Sequence, residues 1–398
     1  MRPPPDGGSA TSPVWWLRPA SGRFDPDNPR HRQHFDRSLA EVLDGIPDLD
    51  LRAPALLKVH IGEPRVDTAL RPALVAGSLA WLRHRGCDRA VVGDSTVCYS
   101  GPRGHRENGP DAAAYRALAR ERGWCEVAPF VVLDRPRTSA AGQLEFEREQ
   151  VVRECTVGGR FHRFYLAGGF EAAGTILHHA HLTLHGLSGL ALCVKGLTMG
   201  LAGRDGKLAM HQSLHPRIDP DHCQGCAACC DCCPEDALEE IDGGCPELDE
   251  DACIGCGECL EACPEDALEL VGRDVSDWNK GADSLAVRMV DYLVGLMADR
   301  WDDFIHIAHL YDVTPRCDCV DERQEPICPS LGFLVGRNPL AVDQAARRLL
   351  IEALQAEGIR DGIDHFCPLD VTPQAFEHAR QAHGLIVEPE LIPVDMQS

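Results

Sequence analysis

No stretch of about 18 uncharged apolar residues occurs in the chain, so no transmembrane helix and no membrane partner are expected. The first thirty residues lack the continuous apolar core of a signal peptide. Residues 1–35 read instead as a flexible or extended arm, and a cytoplasmic protein is expected. Basic charge is also short. Against 62 Asp and Glu stand 39 Lys and Arg, a formal net charge of −23. That argues against nucleic acid, which needs a basic surface to meet its phosphates. An acidic surface suits docking on the basic patch of a redox partner protein. No complete G-x-G-x-x-G and no P-loop lysine motif is present, so nucleotide binding has no positive signal.

At roughly 100–200 residues per domain, 398 residues suggest two or three domains. The 44% hydrophobic content allows a sizeable core without help from cysteines. Cysteine is nevertheless abundant, at twenty residues. A secreted chain would use them as disulfides and a cytosolic one as metal ligands. Eleven of the twenty lie between Cys223 and Cys263, and their spacing favours metal.

Cys223, Cys226, Cys229 and Cys233, followed by Pro234, form the frame C-x2-C-x2-C-x3-C-P. Cys253, Cys256, Cys259 and Cys263, followed by Pro264, repeat it thirty residues later. The flanks repeat as well. Pro234–Glu239 matches Pro264–Glu269, and Asp219 and Asp221 match Asp249 and Asp251, so the segment is an internal duplication. Three thiolates at three-residue intervals wrap three corners of a cubane. The fourth cannot reach that cubane from its own loop and ligates the cluster of the other half. One 4Fe–4S cluster is therefore assigned to Cys223, Cys226, Cys229 and Cys263, and the other to Cys253, Cys256, Cys259 and Cys233. Zinc takes one isolated set of four ligands rather than two interlocked sets. Cys230, Cys232 and Cys245 are extra thiols nearby. A ligand set shifted onto Cys230 and Cys232 would break the repeat. Residues 216–272 resemble a bacterial two-cluster ferredoxin.

Around this segment the pattern is α/β. Residues 55–61 and 88–94 read as buried strands with a helical period over 66–85 between them, which implies a right-handed crossover and a parallel sheet. Residues 126–133, 160–167, 303–311, 330–336 and 386–392 read as further strands. A helix is expected over 282–299. Another opens with Asn338 as N-cap and Pro339 as first residue and runs to about 356. The expected architecture is a mostly parallel α/β host (36–215 and 273–398) interrupted by a two-cluster ferredoxin-like insert (216–272). In such sheets ligands bind at the carboxyl ends of strands. The polar loop 93–104 can hold an anion there, or cap a helix or turn.

Three further groups stand out. His178, His179, His181 and His185 lie in one short run. As a strand it puts His179, His181 and His185 on one face, and as a helix it groups His178, His181 and His185. Either way a metal site or proton relay is conceivable. Residues 186–200 are glycine-rich turns around Lys195, followed by Lys207 and His211. An ammonium in so apolar a run calls for a partner, and a ligand carboxylate is a natural one. Cys317 and Cys319, with Cys328 beyond them, can hold a third metal or a cluster with one open iron.

These pieces resemble a broad bacterial and archaeal family of iron–sulfur proteins designated as a domain of unknown function, whose members often carry an internal ferredoxin module. The matching residues are Lys58–Gly62, the 186–200 segment with His211, Cys317–Cys319 and Gly332–Asp343. The resemblance spans about residues 55–350 and implies fold and clusters rather than a substrate. The leading expectation is an oxidoreductase that passes electrons from two 4Fe–4S clusters to a small anionic substrate, with Lys195, His211 and His181 as catalytic candidates. An electron-transfer subunit without its own substrate, and a lyase or sulfur-transfer enzyme using an open iron, are the alternatives.

Overall fold

The structure is a computed structural model that describes residues 10–19, 24–105, 108–109, 111–136, 145–158, 160–211, 214–233, 235–250, 252–253, 258–272, 284–368 and 370–396. The strands are β1 (Ser12–Pro19), β2 (Ala55–Lys58), β3 (Ala90–Asp94), β4 (Phe130–Val132), β5 (Val151–Gly158), β6 (Phe161–Leu166), β7 (Thr175–His185), β8 (Gly189–Ala191), β9 (Leu214–Ile218), β10 (Leu238–Glu239), β11 (Glu247–Leu248), β12 (Leu268–Gly272), β13 (Phe304–Thr314), β14 (Gly332–Gly336) and β15 (Pro389–Met396). The helices are α1 (Pro29–Gly45), α2 (Pro72–His84), α3 (Ala113–Glu121), α4 (Trp124–Val127), α5 (Cys193–Leu201), α6 (Arg204–His211), α7 (Ala228–Asp231), α8 (Glu258–Ala262), α9 (Leu285–Met297), α10 (Pro339–Ala356) and α11 (Thr372–His383).

One large sheet has the order β15-β1-β14-β13-β7-β2-β3-β4, with β8 antiparallel on β7. It is mostly parallel. Only β14, against β1 and β13, and the β8 hairpin run antiparallel. The parallel run β13, β7, β2, β3, β4 puts five carboxyl ends on one edge. Alternation along each strand sends neighbours to opposite faces. Leu57, Leu177, Ile305 and Ile307 pack under the α1–α2 side, whereas Leu56, Ile176 and Phe304 face the layer containing α9. All thirteen residues of α9 are apolar except Arg288 and Asp291, and nearly all are buried. A helix apolar all round belongs inside, and α9 lies among α5, α11 and the β5–β6 hairpin.

Several local readings shift. The helix expected over 66–85 begins at Pro72, because proline at the first helical position fixes the start and restricts the residue before it. Residues 126–133 divide into the end of α4 and a short β4. The histidine run is a strand. Asn338 caps α10 as expected, accepting from the Leu340 and Ala341 N–H groups. Part of the expected arm is built in: β1 lies between β14 and β15, and α1 begins before residue 35. Residues 1–9 and 20–23 of that arm lie outside the described residues, as do 273–283, where the second host segment was expected to begin.

Candidate functional site

The loops at the carboxyl edge enclose a cavity of about 760 Å³. From the end of β2 and the loop after it come Lys58, His60 and Glu63; from the end of β3 and the loop after it, Asp94 to Arg103; from β7, His181 and His185; from the turn after β13, Cys317 and Cys319. Helices α5 and α6 add Lys195, Lys207 and His211. The cysteine-rich segment supplies part of the wall through Cys232, Glu258, Leu260, Ala262 and Leu268. Lys195, His211 and Cys317 therefore line one space, within reach of both parts of the chain.

The 186–200 segment differs from its expected form. It is the β8 strand and helix α5, and the two glycines of α5 serve helix-to-strand contact. A Cβ on Gly196 would lie 2.5 Å from His178 Nε2, and one on Gly200 would lie 2.6 Å from Lys58 Nζ. Leu192, the N-cap of α5, has no side chain able to cap. Asp343 of α10 does so instead, accepting from Cys193 N at 2.8 Å and Val194 N at 2.9 Å. Burial pushes the Asp343 pKa up to about 7 against those two donors. The ammonium of Lys195 is not left for a ligand alone. It lies 3.2 Å from Cys317 Sγ and 3.9 Å from Cys319 Sγ. Burial disfavours its charge, but the two sulfurs outweigh burial and raise its pKa above the ordinary lysine value.

The back of the cavity is a fully buried charge network. Asp94 accepts from Lys58 Nζ at 2.9 Å, Tyr115 OH at 2.5 Å and Arg103 Nη2 at 3.3 Å. Burial raises its pKa, yet Lys58 and Arg103 prevail and hold the carboxyl well below the usual range. Arg103 also meets Glu63 at 2.9 Å, and Glu63 accepts from Tyr99 OH at 3.0 Å. Lys207 differs from Lys58. It is 5% exposed and donates to Ser95 Oγ at 3.1 Å and the Ala202 carbonyl at 2.5 Å, both uncharged. Among the described residues no carboxylate forms an ion pair with it.

The histidines do not converge as a triad. Strand β13 carries His306-Ile307-Ala308-His309 in parallel register with the run on β7, and partners come from across the strands. His178 Nδ1 lies 3.3 Å from His306 Nδ1, and His179 Nδ1 lies 2.9 Å from His309 Nε2. His181 meets the Asp318 carboxylate at 2.8 Å and the Tyr311 carbonyl at 2.7 Å. Both partners accept, so both ring nitrogens donate and the ring is imidazolium. Burial opposes that charge, but Asp318 raises the pKa. His181 is thus held in an ion pair. His185, whose Nδ1 accepts from Leu187 N at 3.2 Å, is kept neutral by burial and by Lys195 and His211. Two sets of metal-capable side chains were not anticipated: His178, Cys193 and His306, and Asp291, His378 and His383. The second histidine of each strand pair was legible in the repeated His-x-Ala-His. His378 and His383 carried no such signal.

Cys328 does not join Cys317 and Cys319 in the cavity lining. It sits in the apolar cluster of Leu349, Leu350 and Val313, outside the cavity lining, because the chain turns back into β14 straight after it. Cys317 and Cys319 are left as a pair.

The cysteine-rich segment folds with a repeated local geometry. β9 pairs with β12 and β10 with β11. Asp219 N donates to Ala267 O at 2.8 Å and Asp249 N to Ala237 O at 2.9 Å, each half completing the other. Cys223 N bonds Asp219 O and Cys253 N bonds Asp249 O. Ala237 N donates to Cys233 Sγ at 3.2 Å and Ala267 N to Cys263 Sγ at 3.3 Å. Cys229 and Cys259 pack with Leu238 and Leu268. Cys256 lies outside the described residues. Cys232 faces the large cavity, and Cys245 lies against Cys223.

The profile of a domain of unknown function, DUF362, matches residues 55–348. The chain belongs to this family. No curated protein matches it. The matched span contains every residue of the cavity described above. Among the described residues no helix is long and apolar enough to cross a membrane.

Proposed function

We propose that this family member is an iron–sulfur oxidoreductase that reduces a small anionic organic substrate in the cavity between the β-sheet edge and the cysteine-rich segment. Cys223, Cys226, Cys229 and Cys263 would hold one 4Fe–4S cluster, and Cys253, Cys256, Cys259 and Cys233 the other. The donor set fits: the thiolates recur in matching halves, and backbone N–H groups already point at the two crossing sulfurs, as cluster ligands require. Bound there, the clusters supply electrons singly at low potential. The acidic chain suits a basic electron donor.

The observation that carries the reading is Lys207. Among the described residues this buried ammonium has only neutral partners, and its natural counterion is an anion admitted to the cavity. The chain has only four lysines among its 39 basic residues, and Lys58, Lys195 and Lys207 all line this cavity. Lysine presents a compact point charge rather than the planar fork of arginine. Lys207 positions the anion, Lys58 keeps Asp94 charged behind it, and His211 lines the same cavity for proton delivery.

The test uses anaerobically purified protein. It should contain about eight irons per chain. After photoreduction, its visible spectrum should recover on addition of at least one acid from a panel of small carboxylates. Lys207→Met should abolish that recovery while leaving iron content and reoxidation by a viologen dye unchanged. Zinc in place of iron, or an unimpaired Lys207→Met protein, would overturn the proposal.

A further inference from the structure

The pair Cys317–Cys319 is not needed for the two clusters, yet both sulfurs face the cavity. A tight turn, closed by Val320 N to Cys317 O at 2.9 Å, puts them on one side of the loop. Lys195 Nζ spans them at 3.2 and 3.9 Å, and Cys319 N points at Cys317 Sγ at 3.4 Å. An ammonium in this position repels a metal cation and stabilises a thiolate. Cys328 is buried in a separate apolar cluster, and among the described residues the pair belongs to no group of three metal-capable side chains. Two sulfurs two residues apart, one held as thiolate and the other as its thiol neighbour, form the arrangement of an exchanging dithiol.

We propose that Cys317 and Cys319 are a redox-active dithiol that reduces a small anionic disulfide admitted to the cavity. This rests on the reading of the cavity as a reductive substrate site and adds the substrate class. Cys317 thiolate attacks one sulfur of the disulfide R–S–S–R, forming a Cys317–S–S–R bond and expelling R–S⁻. Cys319 loses its proton to that leaving group and attacks Cys317 Sγ. A Cys317–Cys319 disulfide forms and the second R–S⁻ departs. The dithiol gives up two electrons, the substrate disulfide takes up two, and the products are one thiol and one thiolate. Lys195 is a positioning residue for the attacking sulfur, and Lys207 meets a substrate carboxylate.

The experiment mixes anaerobic, iron-loaded, reduced and desalted protein with dithiodiglycolate, and separately with neutral bis(2-hydroxyethyl) disulfide. Peptide mass spectrometry locates the products. The wild type should lose two hydrogens on the peptide holding Cys317 and Cys319. Cys319→Ser should trap a thioglycolate adduct on Cys317, whereas Cys317→Ser should show none on Cys319. Lys195→Met should slow adduct formation at neutral pH by about tenfold or more, because the Cys317 sulfur keeps its contact with Cys319 but loses the neighbouring positive charge that favours the thiolate. Lys207→Met should slow the reaction of the dianion and spare that of the neutral disulfide. No Cys317–Cys319 disulfide in the wild type and no adduct in Cys319→Ser would overturn the dithiol. So would a stoichiometric metal ion lost from a Cys317→Ser, Cys319→Ser double variant. A protein that fails here but still shows Lys207-dependent reoxidation by a carboxylate keeps its reductase function and loses only this substrate class.

Discussion

Replacing Gly200 with alanine isolates the contact between α5 and the floor of the cavity. By intrinsic propensity alone the change should help, since alanine in a helix interior is better than glycine by about 0.5–1 kcal/mol. The added Cβ, however, would lie 2.6 Å from Lys58 Nζ and 2.8 Å from Lys58 Cε. A flexible lysine tip would ordinarily move aside. This one is 1% exposed, donates to Val59 O at 2.6 Å and pairs with Asp94 at 2.9 Å. Moving it off Asp94 unpairs a buried charge, at about 3–5 kcal/mol. Lifting α5 away from β2 instead is overpacking strain, at about 1–3 kcal/mol. The chain takes the cheaper route, and after the propensity gain a net loss of up to about 2.5 kcal/mol remains, about 1 kcal/mol at the middle of these ranges. Gly45, at the end of α1, is the control, because its Cβ would meet nothing within 4 Å. In thermal unfolding followed by ellipticity, the midpoint of Gly200→Ala should fall while that of Gly45→Ala holds or rises. A Gly200→Ala protein as stable as the wild type would refute the claim that Lys58 is pinned.

Two other perturbations address different parts of the chain. Cys263→Ala should damage the cluster assigned to Cys223, Cys226 and Cys229 rather than the one of its own loop; electron paramagnetic resonance of the reduced variant, compared with Cys223→Ala, should show the same cluster lost, and a match to Cys253→Ala instead would sink the crossed assignment. Asp343 has a native pKa raised to about 7 against about 3.9 unfolded, so the native state binds the proton more tightly and stability is lost as pH rises through this interval. Asp343→Asn should flatten that loss, by at most about 4 kcal/mol between the two limits, and urea midpoints that run parallel with pH in both proteins would contradict it.

Much of the architecture was legible because it follows from local chemistry. The buried strand 55–61, the Pro339 start of α10 and the cysteine duplication each carry a physical signature within a few residues. What escaped depends on contacts between distant segments. The antiparallel direction of β14 is set by where the chain returns after Cys328, and β1 finds its place only because β14 and β15 leave a slot for it. The glycines around Lys195 suggested a ligand-cradling loop, since glycine permits close approach in either setting. Only the packing of α5 on His178 and Lys58 shows which approach is made. The histidines on β7 were visible, but their partners lie 128 and 130 residues away on β13.

The distribution of lysine ties the site together. A chain that meets nearly all its need for positive charge with arginine has placed three of its four lysines around one space. Their roles diverge with their partners. Lys58 faces a carboxylate and is neutralised, so it sustains a charged wall without attracting an anion. Lys195 faces two sulfurs and, after the hydrogen bond from Cys319, favours the thiolate at Cys317. Lys207 donates to a hydroxyl and a carbonyl, and among the described residues no carboxylate pairs with it. An arginine at any of these positions would bring a fork of five donors, and the residue would have to satisfy them against α5 or the loop after β3. On the proposed reading, one fixed negative wall, one activated sulfur and one cation left for an anion call for three ammonium groups on three separate elements. The carboxyl edge of a parallel sheet, with helices packed over it, is where this chain brings such elements within a few ångströms of one another.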